Sequence, residues 1–311
     1  MPGLGSIILP VESQSRIDRF VASSRFRTAG AVFTDLDGTA VVESEGRVYV
    51  SGPMELGLKR VYDAGRPVAL NSLRFPLSVL RTFGAEWYRI AGTPIPVVSL
   101  NGSSLGRVAP TPEGDLAYHE IAAFPLEAGE IEEVLVGVRG MLDAGVDDLV
   151  VFYYPRCWRA GEILWTPRAE RVRPLAEKYR SAAAVHAEPV SALRERLLAE
   201  PICMIFLLVD VPEDRLMAYQ HTQRTRFVTH RGVDKLFGAE RMAELLGVEL
   251  EESVGAGDSE MDTFLRGVGL AVVVGSQALE LKGRRDTVRV RDSTELGVVL
   301  GRLAEDTRQG P

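Results

Sequence analysis

The stretch that decides the fold is Phe33-Thr34-Asp35-Leu36-Asp37-Gly38-Thr39, which follows the apolar residues Ala31 and Val32. The apolar run is typical of a buried strand, and the glycine is typical of the turn that ends it. Alternate residues of a strand face the same side, so Asp35 and Asp37 can both reach one small site at the end of this strand. Two carboxylates so close together are costly unless a cation or a proton separates their charges. The pattern therefore indicates a metal site or an acid–base pair.

An EF-hand calcium loop also opens with Asp-x-Asp, but its later positions do not fit. With Asp35 as position one, position six is Ala40 where the loop needs glycine, and position twelve is Gly46 where it needs a bidentate glutamate. A surface turn with two solvated acids stays open as an alternative for this motif alone.

The composition is ordinary for a globular protein. The chain has 311 residues, 46% hydrophobic and 25% charged, which is enough for one large or two moderate domains. No apolar run approaches the ~20 residues of a membrane span, and the start lacks a signal-peptide pattern. A net charge of −7 argues against a nucleic-acid partner. We expect a cytoplasmic protein that does not bind a membrane, and the sequence leaves its oligomeric state open.

The two cysteines, Cys157 and Cys203, have neither C-x-x-C spacing nor paired histidines. They are too few for a disulfide framework. We expect both to be reduced and structural.

Alternating strands and helices predict a parallel α/β layer in the first third of the chain. After the aspartate loop, 48–50 closes a short hairpin. Strands are then expected at 68–70 and 97–100, a helix begins at Pro53, and another runs from Pro76 to its end at Gly84. Before this layer, residues 1–29 are interpreted as a docking extension with a strand-like run at 7–11 and a helix at 15–27.

The regular alternation of strands and helices ends near Ser104, and a second domain is expected over residues 105–226. It is predicted to contain strands at 116–121, 149–154, 202–209 and 226–229, and helices at 127–144, 167–179, 192–198 and 212–220. The pattern typical of a parallel α/β layer then resumes. It comprises a helix at 233–246, strands at 253–256, 270–274 and 287–290, and a last helix at 292–304 capped by Asp292. Residues 105–226 are therefore expected to be an α+β domain inserted into an α/β core formed by residues 1–104 and 227–311.

A second group of acids, Gly257-Asp258-Ser259-Glu260-Met261-Asp262, follows another predicted strand and opens a helix. Ligands of open α/β folds bind at the carboxyl ends of the strands, so Asp258 is expected to face the aspartate loop. The alternative is that Asp258 and Ser259 only cap the helix.

Two further residues suit a phosphate group. Ser72 ends the second strand and offers a hydroxyl and free backbone N–H groups at a helix start. Lys235 stands at the start of the helix that leads to Asp258, although a lone lysine is more often simply solvated.

In this order, Asp35-x-Asp37-Gly38-Thr39, Ser72, Lys235 and Gly257-Asp258-x-x-x-Asp262 resemble the four motifs of the haloacid dehalogenase superfamily of phosphohydrolases. The inserted segment resembles the large α/β cap of the Cof-type and sucrose-phosphatase-like branch. Leu73 stands where that branch usually has glycine, and Met261 where it usually has asparagine. The resemblance implies a Rossmann-like parallel sheet core with an inserted α+β cap domain.

The resemblance and the residue types imply a magnesium-dependent phosphatase acting on a small phosphorylated metabolite, plausibly a sugar phosphate. Asp35 would be the nucleophile that forms an aspartyl-phosphate, and Asp37 the general acid and base. Asp35, the Asp37 carbonyl and Asp258 would hold Mg²⁺, with Asp262 behind them. Ser72 and Lys235 would bind the phosphate.

Substrate choice is assigned to the cap by the same resemblance. Arg156, Trp158 and Arg159 place aromatic faces and cations together, as a sugar or an anionic group would require, and Arg74 is a further possible substrate contact. Cap core and surface are the alternative roles for the three cap residues. A sugar phosphomutase and a non-catalytic binding protein of the same fold are alternative functions.

Overall fold

Two β-sheets organise the chain. The structure, a computed structural model, describes residues 9–44, 47–146, 148–209, 227–279, 281 and 286–306. The strands are β1 (Val32–Thr34), β2 (Val42–Ser44), β3 (Arg47–Tyr49), β4 (Val68–Asn71), β5 (Ile95–Ser99), β6 (Ser104–Pro110), β7 (Leu116–Ala123), β8 (Leu149–Pro155), β9 (Glu162–Thr166), β10 (Ala182–Ala187), β11 (Ile202–Val209), β12 (Phe227–Val228), β13 (Val254–Gly257), β14 (Leu270–Val274) and β15 (Asp286–Val290). The α-helices are α1 (Val11–Ser23), α2 (Phe26–Ala29), α3 (Gly52–Asp63), α4 (Pro76–Val79), α5 (Ala85–Ala91), α6 (Ala128–Asp143), α7 (Val172–Lys178), α8 (Val190–Ala199), α9 (Lys235–Leu246) and α10 (Ser293–Asp306).

The first sheet has eight strands in the order β15-β14-β13-β1-β4-β5-β6-β7. All pairs from β15 to β5 are parallel, so the predicted α/β core is confirmed. Strand β1 lies inside the sheet and is buried on both faces, which explains its continuous apolar run. Because β1 lies between β13 and β4, the loops that follow these three strands meet at one edge of the sheet.

Strands β6 and β7 extend this first sheet by antiparallel pairing onto β5. Residues from 105 onward were expected in the inserted domain, but the chain leaves the first sheet only after Ala123. The reason is that a chain can return beside its own strand through a tight turn, here at Leu100–Gly102, without leaving the sheet. The division of the chain into folding units remains a prediction.

The second sheet has five strands in the order β10-β9-β8-β11-β12. Alternate residues of β8 face its two sides: Tyr153 packs toward α6 and α8, whereas Phe152 and Tyr154 join a cluster that includes Phe75 of the first sheet's loops. One face of the second sheet is therefore covered by its own helices, and the other face lies toward the carboxyl-end loops of the parallel strands.

The segment before β1 docks on the core through α1 and α2. Ile17, Phe20 and Val21 are buried, as the helical spacing predicts. The strand expected at 7–11 is wrong over its described part: residues 9 and 10 are irregular, and Val11 begins α1. Pro10 has no N–H to donate to a strand ladder and stands directly before the helix. Residues 7 and 8 lie outside the described residues.

The helix expected to end at Gly84 continues through a wide π-helical turn (Leu80–Gly84) into α5. It ends at Gly92, which has the left-handed conformation (φ 69°) that glycine adopts without strain. The expected helix at 167–179 is shorter, beginning as a 3₁₀ turn at Ala169–Arg171, and the expected helix at 212–220 lies outside the described residues.

Both cysteines are free, Cys203 in the interior and Cys157 on the surface. Within the described residues, no helix is both long and apolar enough to cross a bilayer.

Candidate active site

The loop after β1 brings Asp35 into the interior at the carboxyl edge of the sheet. Asp35 is 5% exposed, and its backbone N–H donates to the carbonyl of Ala256 on β13 at 2.9 Å. Gly38 follows with φ 73°, and a Cβ built there would lie 2.3 Å from a carboxylate oxygen of Asp258. Glycine is therefore required at this turn by its conformation and by the close approach of Asp258.

Lys235 lies at the centre of the site and is 2% exposed. Its Nζ donates to Oδ1 of Asp35 at 2.7 Å and to Oδ1 of Asp262 at 2.7 Å. Burial alone would lower the pKa of Lys235, but the charges of Asp262 and Asp35 raise it above its usual range. The lysine is therefore positively charged, and the alternative of a solvated lysine is excluded by its burial.

Helix α9 sets the position of Lys235, which is its first residue. The Asp234 carboxylate caps the helix by accepting from the N–H of Phe237 at 2.9 Å, and Asn71 Nδ2 donates to the carbonyl of Lys235 at 2.9 Å. These contacts attach the start of α9 to the end of β4.

Three carboxylates converge beside this lysine. Oxygens of Asp35, Asp258 and Asp262 lie within 4.8 Å of one another. Burial raises the pKa of Asp35, an effect that Lys235 opposes. Burial and the neighbouring Asp262 raise the pKa of Asp258 to about 6. These shifts reflect the cost of collecting negative charge in the interior, which a cation would offset.

Asp262 differs from the other two because both its oxygens are already engaged. Oδ2 accepts from the backbone N–H groups of Asp258 (2.9 Å) and Ser259 (3.0 Å), and Oδ1 accepts from Lys235. Asp262 therefore holds the loop that carries Asp258, while Asp35 and Asp258 have oxygens that could bind a hard divalent cation such as Mg²⁺.

Asp37 lies on the outer side of the loop, with 54% of its side chain exposed. Arg74 donates to both its oxygens, from Nε to Oδ2 at 2.7 Å and from Nη2 to Oδ1 at 2.6 Å. Arg74 Nη1 also donates to Thr82 Oγ1 at 3.0 Å. The sequence predicted Arg74 as a possible substrate contact, and this pairing with Asp37 was missed because it joins residues distant in the chain.

Ser72 directly follows β4 and is 1% exposed. The expectation of free N–H groups here is wrong for two of them: Ser72 N–H donates to the carbonyl of Val98 at 2.9 Å, and Arg74 N–H donates to Ser72 Oγ at 3.1 Å. Sheet pairing and the tight turn after it use these donors. The Ser72 hydroxyl can still donate its own proton.

The predicted cap contacts Arg156, Trp158 and Arg159 lie where the two sheets meet. Arg156 pairs with Glu120 of β7 at 2.8 Å, Trp158 packs edge-on against Tyr118, and Arg159 lies over the Trp158 ring. In the described part of the chain, the contacts of Arg156 and Trp158 join the second sheet to the first, whereas Arg159 contacts its neighbour Trp158. A role of the three residues in substrate binding remains a prediction.

A cavity of about 410 Å³ opens between the second sheet and the start of α4. Arg74 and Leu73 line it on one side. On the other side lies Glu162, which is 8% exposed and accepts from Tyr154 Oη at 2.6 Å. Burial raises the pKa of Glu162, although the hydrogen bond from Tyr154 opposes this. Glu162 was not predicted as a functional residue. The sequence indicates it only as an acidic residue at the start of the apolar strand β9.

Comparisons with known proteins find the same fold in solved structures. No protein-family model matches the chain, and no curated protein matches it by sequence. The structure is similar to that of a sugar phosphatase of HAD subclass IIB at 15% identity and TM-score 0.63, covering 89% of this chain and 99% of that one.

Two similar structures come from Bacteroides thetaiotaomicron. A HAD superfamily phosphatase matches at 17% identity and TM-score 0.61, over 96% of this chain and 99% of that one. A haloacid dehalogenase-like hydrolase matches at 18% identity and TM-score 0.57, over 91% and 99%. At these identities the comparisons show the fold: the chain is similar in fold to these HAD superfamily proteins over most of its length.

Proposed function

We propose that this protein is a magnesium-dependent phosphatase that hydrolyses a small phosphorylated metabolite through an aspartyl-phosphate intermediate on Asp35. The observation that carries the proposal is the burial of Asp35 at the end of the central strand β1, beside Lys235 and Asp258. The fold shared with HAD superfamily phosphatases supports it.

The residues divide the reaction between them. Asp35 attacks phosphorus in line with the leaving oxygen and becomes phosphorylated. Asp37 donates a proton to that leaving oxygen and then takes one from the water that hydrolyses the intermediate. Ser72 Oγ and Lys235 Nζ donate to the phosphoryl oxygens. Lys235 suits this role because its ammonium has three donors and the two acids engage two of them.

The cation belongs beside these residues. Asp35, Asp258 and the backbone carbonyl of Asp37 would hold Mg²⁺, which supplies positive charge to neutralise the phosphoryl oxygens. The fit rests on the converging oxygen donors and on the raised pKa of Asp258.

Within the predicted cap, residues 105–226, the second sheet and its helices would cover the aspartate site and exclude bulk water, with Phe75 and Tyr154 in contact across the junction. The sequence predicted a sugar phosphate as the substrate, and one similar structure is that of a sugar phosphatase. No contact in the described residues favours phosphoryl transfer to a sugar hydroxyl over transfer to water.

Release of inorganic phosphate tests the proposal directly. The full chain is assayed with Mg²⁺ against a panel of phosphorylated sugars, nucleotides, cofactors and acetyl phosphate, with and without excess chelator. We expect phosphate release that chelator abolishes and that Asp35→Asn lowers by at least ~10³-fold, since the nucleophile is lost. Phosphate release in excess chelator would exclude the metal, and transfer to a sugar with no phosphate released would indicate a mutase.

A further inference from the structure

The cavity that faces the catalytic loop has walls unsuited to a sugar. Its described lining is mostly apolar: Leu73, Phe75, Phe152, Met204, Phe206, Leu208 and Phe227. The rings are already arranged as pairs, with Phe206 stacked on Phe227 at 4.7 Å and Phe152 edge-on to Tyr179 at 4.9 Å. Such walls gain free energy by covering apolar surface of a ligand.

Most polar side chains of this lining already have hydrogen-bond partners in the protein. Arg74 binds Asp37, and Tyr154 and Ser181 both donate to Glu162, at 2.6 and 3.3 Å. A polyol placed here would lose water from each hydroxyl and find few partners. Each unpaired buried hydroxyl costs about tenfold in binding.

Among the described lining residues, Glu162 has acceptor capacity left for a ligand. An ionised carboxylate accepts about four hydrogen bonds, and Tyr154 and Ser181 occupy two positions. Glu162 lines the cavity opposite Arg74, whose guanidinium holds the catalytic Asp37. The cavity therefore adjoins, through Arg74, the loop proposed for phosphoryl transfer, and it also offers a buried hydrogen-bond acceptor in Glu162.

We propose that the substrate is the phosphate monoester of an aromatic alcohol that carries a hydrogen-bond donor at its far end, with the ring held by Phe152, Phe206 and Phe227 and the donor held by Glu162. This inference rests on the proposed phosphatase function and names its substrate class. It replaces the sugar phosphate expected from the sequence with an amphipathic aryl-alkyl ester.

The test compares esters whose leaving groups are all primary alcohols, so that chemical reactivity is matched. They are 2-phenylethyl phosphate, 2-(4-hydroxyphenyl)ethyl phosphate and glucose 6-phosphate, with acetyl phosphate as a small reference that cannot fill the cavity. We expect kcat/KM for both phenylethyl esters to exceed that for glucose 6-phosphate by about tenfold or more. The hydroxylated ester should be the better of the two.

A variant and its control test whether Glu162 recognises the hydroxyl group of the substrate. Glu162→Gln should reduce the advantage of the hydroxylated over the plain phenylethyl ester by about fivefold, because a charge-assisted hydrogen bond is lost. Tyr153→Phe removes the hydroxyl of the residue that precedes Tyr154 in β8. Because Tyr153 packs toward α6 and α8, this variant should leave the rates for all four compounds unchanged. Thermal unfolding of each variant verifies that it is folded.

The failures of the two proposals can be told apart. Turnover of glucose 6-phosphate equal to that of the phenylethyl esters, or hydrolysis of acetyl phosphate alone, would overturn the substrate class and leave the phosphatase intact. An unchanged advantage of the hydroxylated ester in Glu162→Gln would overturn the role of Glu162. Absence of phosphate release from every compound would overturn the phosphatase function and this inference with it.

Discussion

Arg74 donates hydrogen bonds to both carboxylate oxygens of Asp37, at 2.7 and 2.6 Å. A guanidinium fork fixes a carboxylate in one plane as well as attracting its charge. Asp37 is the exposed member of the aspartate pair, so this contact sets where its proton can be delivered. We infer that Arg74 positions the general acid and base.

Replacing this fork by a single ammonium tests that role. Arg74→Lys should lower kcat by about tenfold to a hundredfold for alkyl phosphates, since general acid–base catalysis contributes roughly 10²–10⁴. The loss should be smaller for p-nitrophenyl phosphate, whose leaving group needs no proton. Arg81→Lys, an exposed arginine on the following turn, is the matched control. Equal losses on both substrates would show that Arg74 acts on binding or folding instead.

The bridge from Lys235 to Asp35 and Asp262 predicts a compensating pair of substitutions. Lys235→Met leaves buried carboxylates without their cation and should lower the free energy of unfolding by about 3–5 kcal/mol. Adding Asp262→Asn removes one of these charges and should recover part of that loss. Urea denaturation of the two single variants and the double variant measures the coupling. Strictly additive effects would contradict the bridge.

Substitutions of Asp258 and Asp262, in the loop after β13, should change the Mg²⁺ dependence of activity to different extents. Asp258→Asn should raise the Mg²⁺ concentration needed for half-maximal activity, because Asp258 is a proposed ligand. Asp262→Asn should raise it less, since Asp262 accepts from backbone N–H groups and Lys235. The Mg²⁺-induced rise in Tm gives a second readout that needs no turnover. Identical Mg²⁺ responses in the two variants would contradict the assignment of ligands.

Glu130 joins the start of α6 to the segment that leads into α9. It accepts from the N–H of Glu127 at 2.7 Å, from His230 Nδ1 at 3.0 Å and from the N–H of Arg231 at 2.8 Å. Burial alone would raise the pKa of Glu130, but these hydrogen bonds lower it below its ordinary value of 4.5.

A carboxylate with a lowered pKa stabilises the fold above its ordinary value and loses that contribution as pH falls through its folded value. Glu130→Gln should therefore destabilise the protein by about 1–3 kcal/mol at neutral pH, and the difference from wild type should shrink below about pH 4.5. Tm measured against pH checks this. Glu133→Gln, which removes only an exposed pair with Arg231, should have little effect at any pH. A pH-independent difference for Glu130→Gln would exclude linkage through its charge.

The catalytic edge of the sheet could be predicted because its signals are local. Asp35, Ser72 and Asp258 each follow an apolar run that forms a parallel strand, and parallel strands deliver their carboxyl ends to one edge. Lys235 could be predicted near the same edge because it begins the helix that precedes β13 in the chain.

What the sequence could not provide depends on contacts between distant residues. The antiparallel return of β6 and β7 onto the core sheet, the pairing of Arg74 with Asp37 and the placement of Glu162 in the cavity are set by tertiary structure. Gly84 was wrongly predicted to end a helix. The helix continues there through a π-helical turn in which Gly84 packs beside Val108, and it ends at Gly92.

The central claim is that Asp35 carries the phosphoryl group during turnover. A single-turnover reaction with Mg²⁺, quenched in acid and analysed by peptide mass spectrometry, tests it most directly. We expect the peptide containing Asp35 to gain the mass of one phosphoryl group early in the reaction and to lose it as free phosphate appears, with no such gain in Asp35→Asn. Complete turnover with no phosphorylated Asp35 at any time, or an Asp35→Asn variant that releases phosphate at the wild-type rate, would contradict the account.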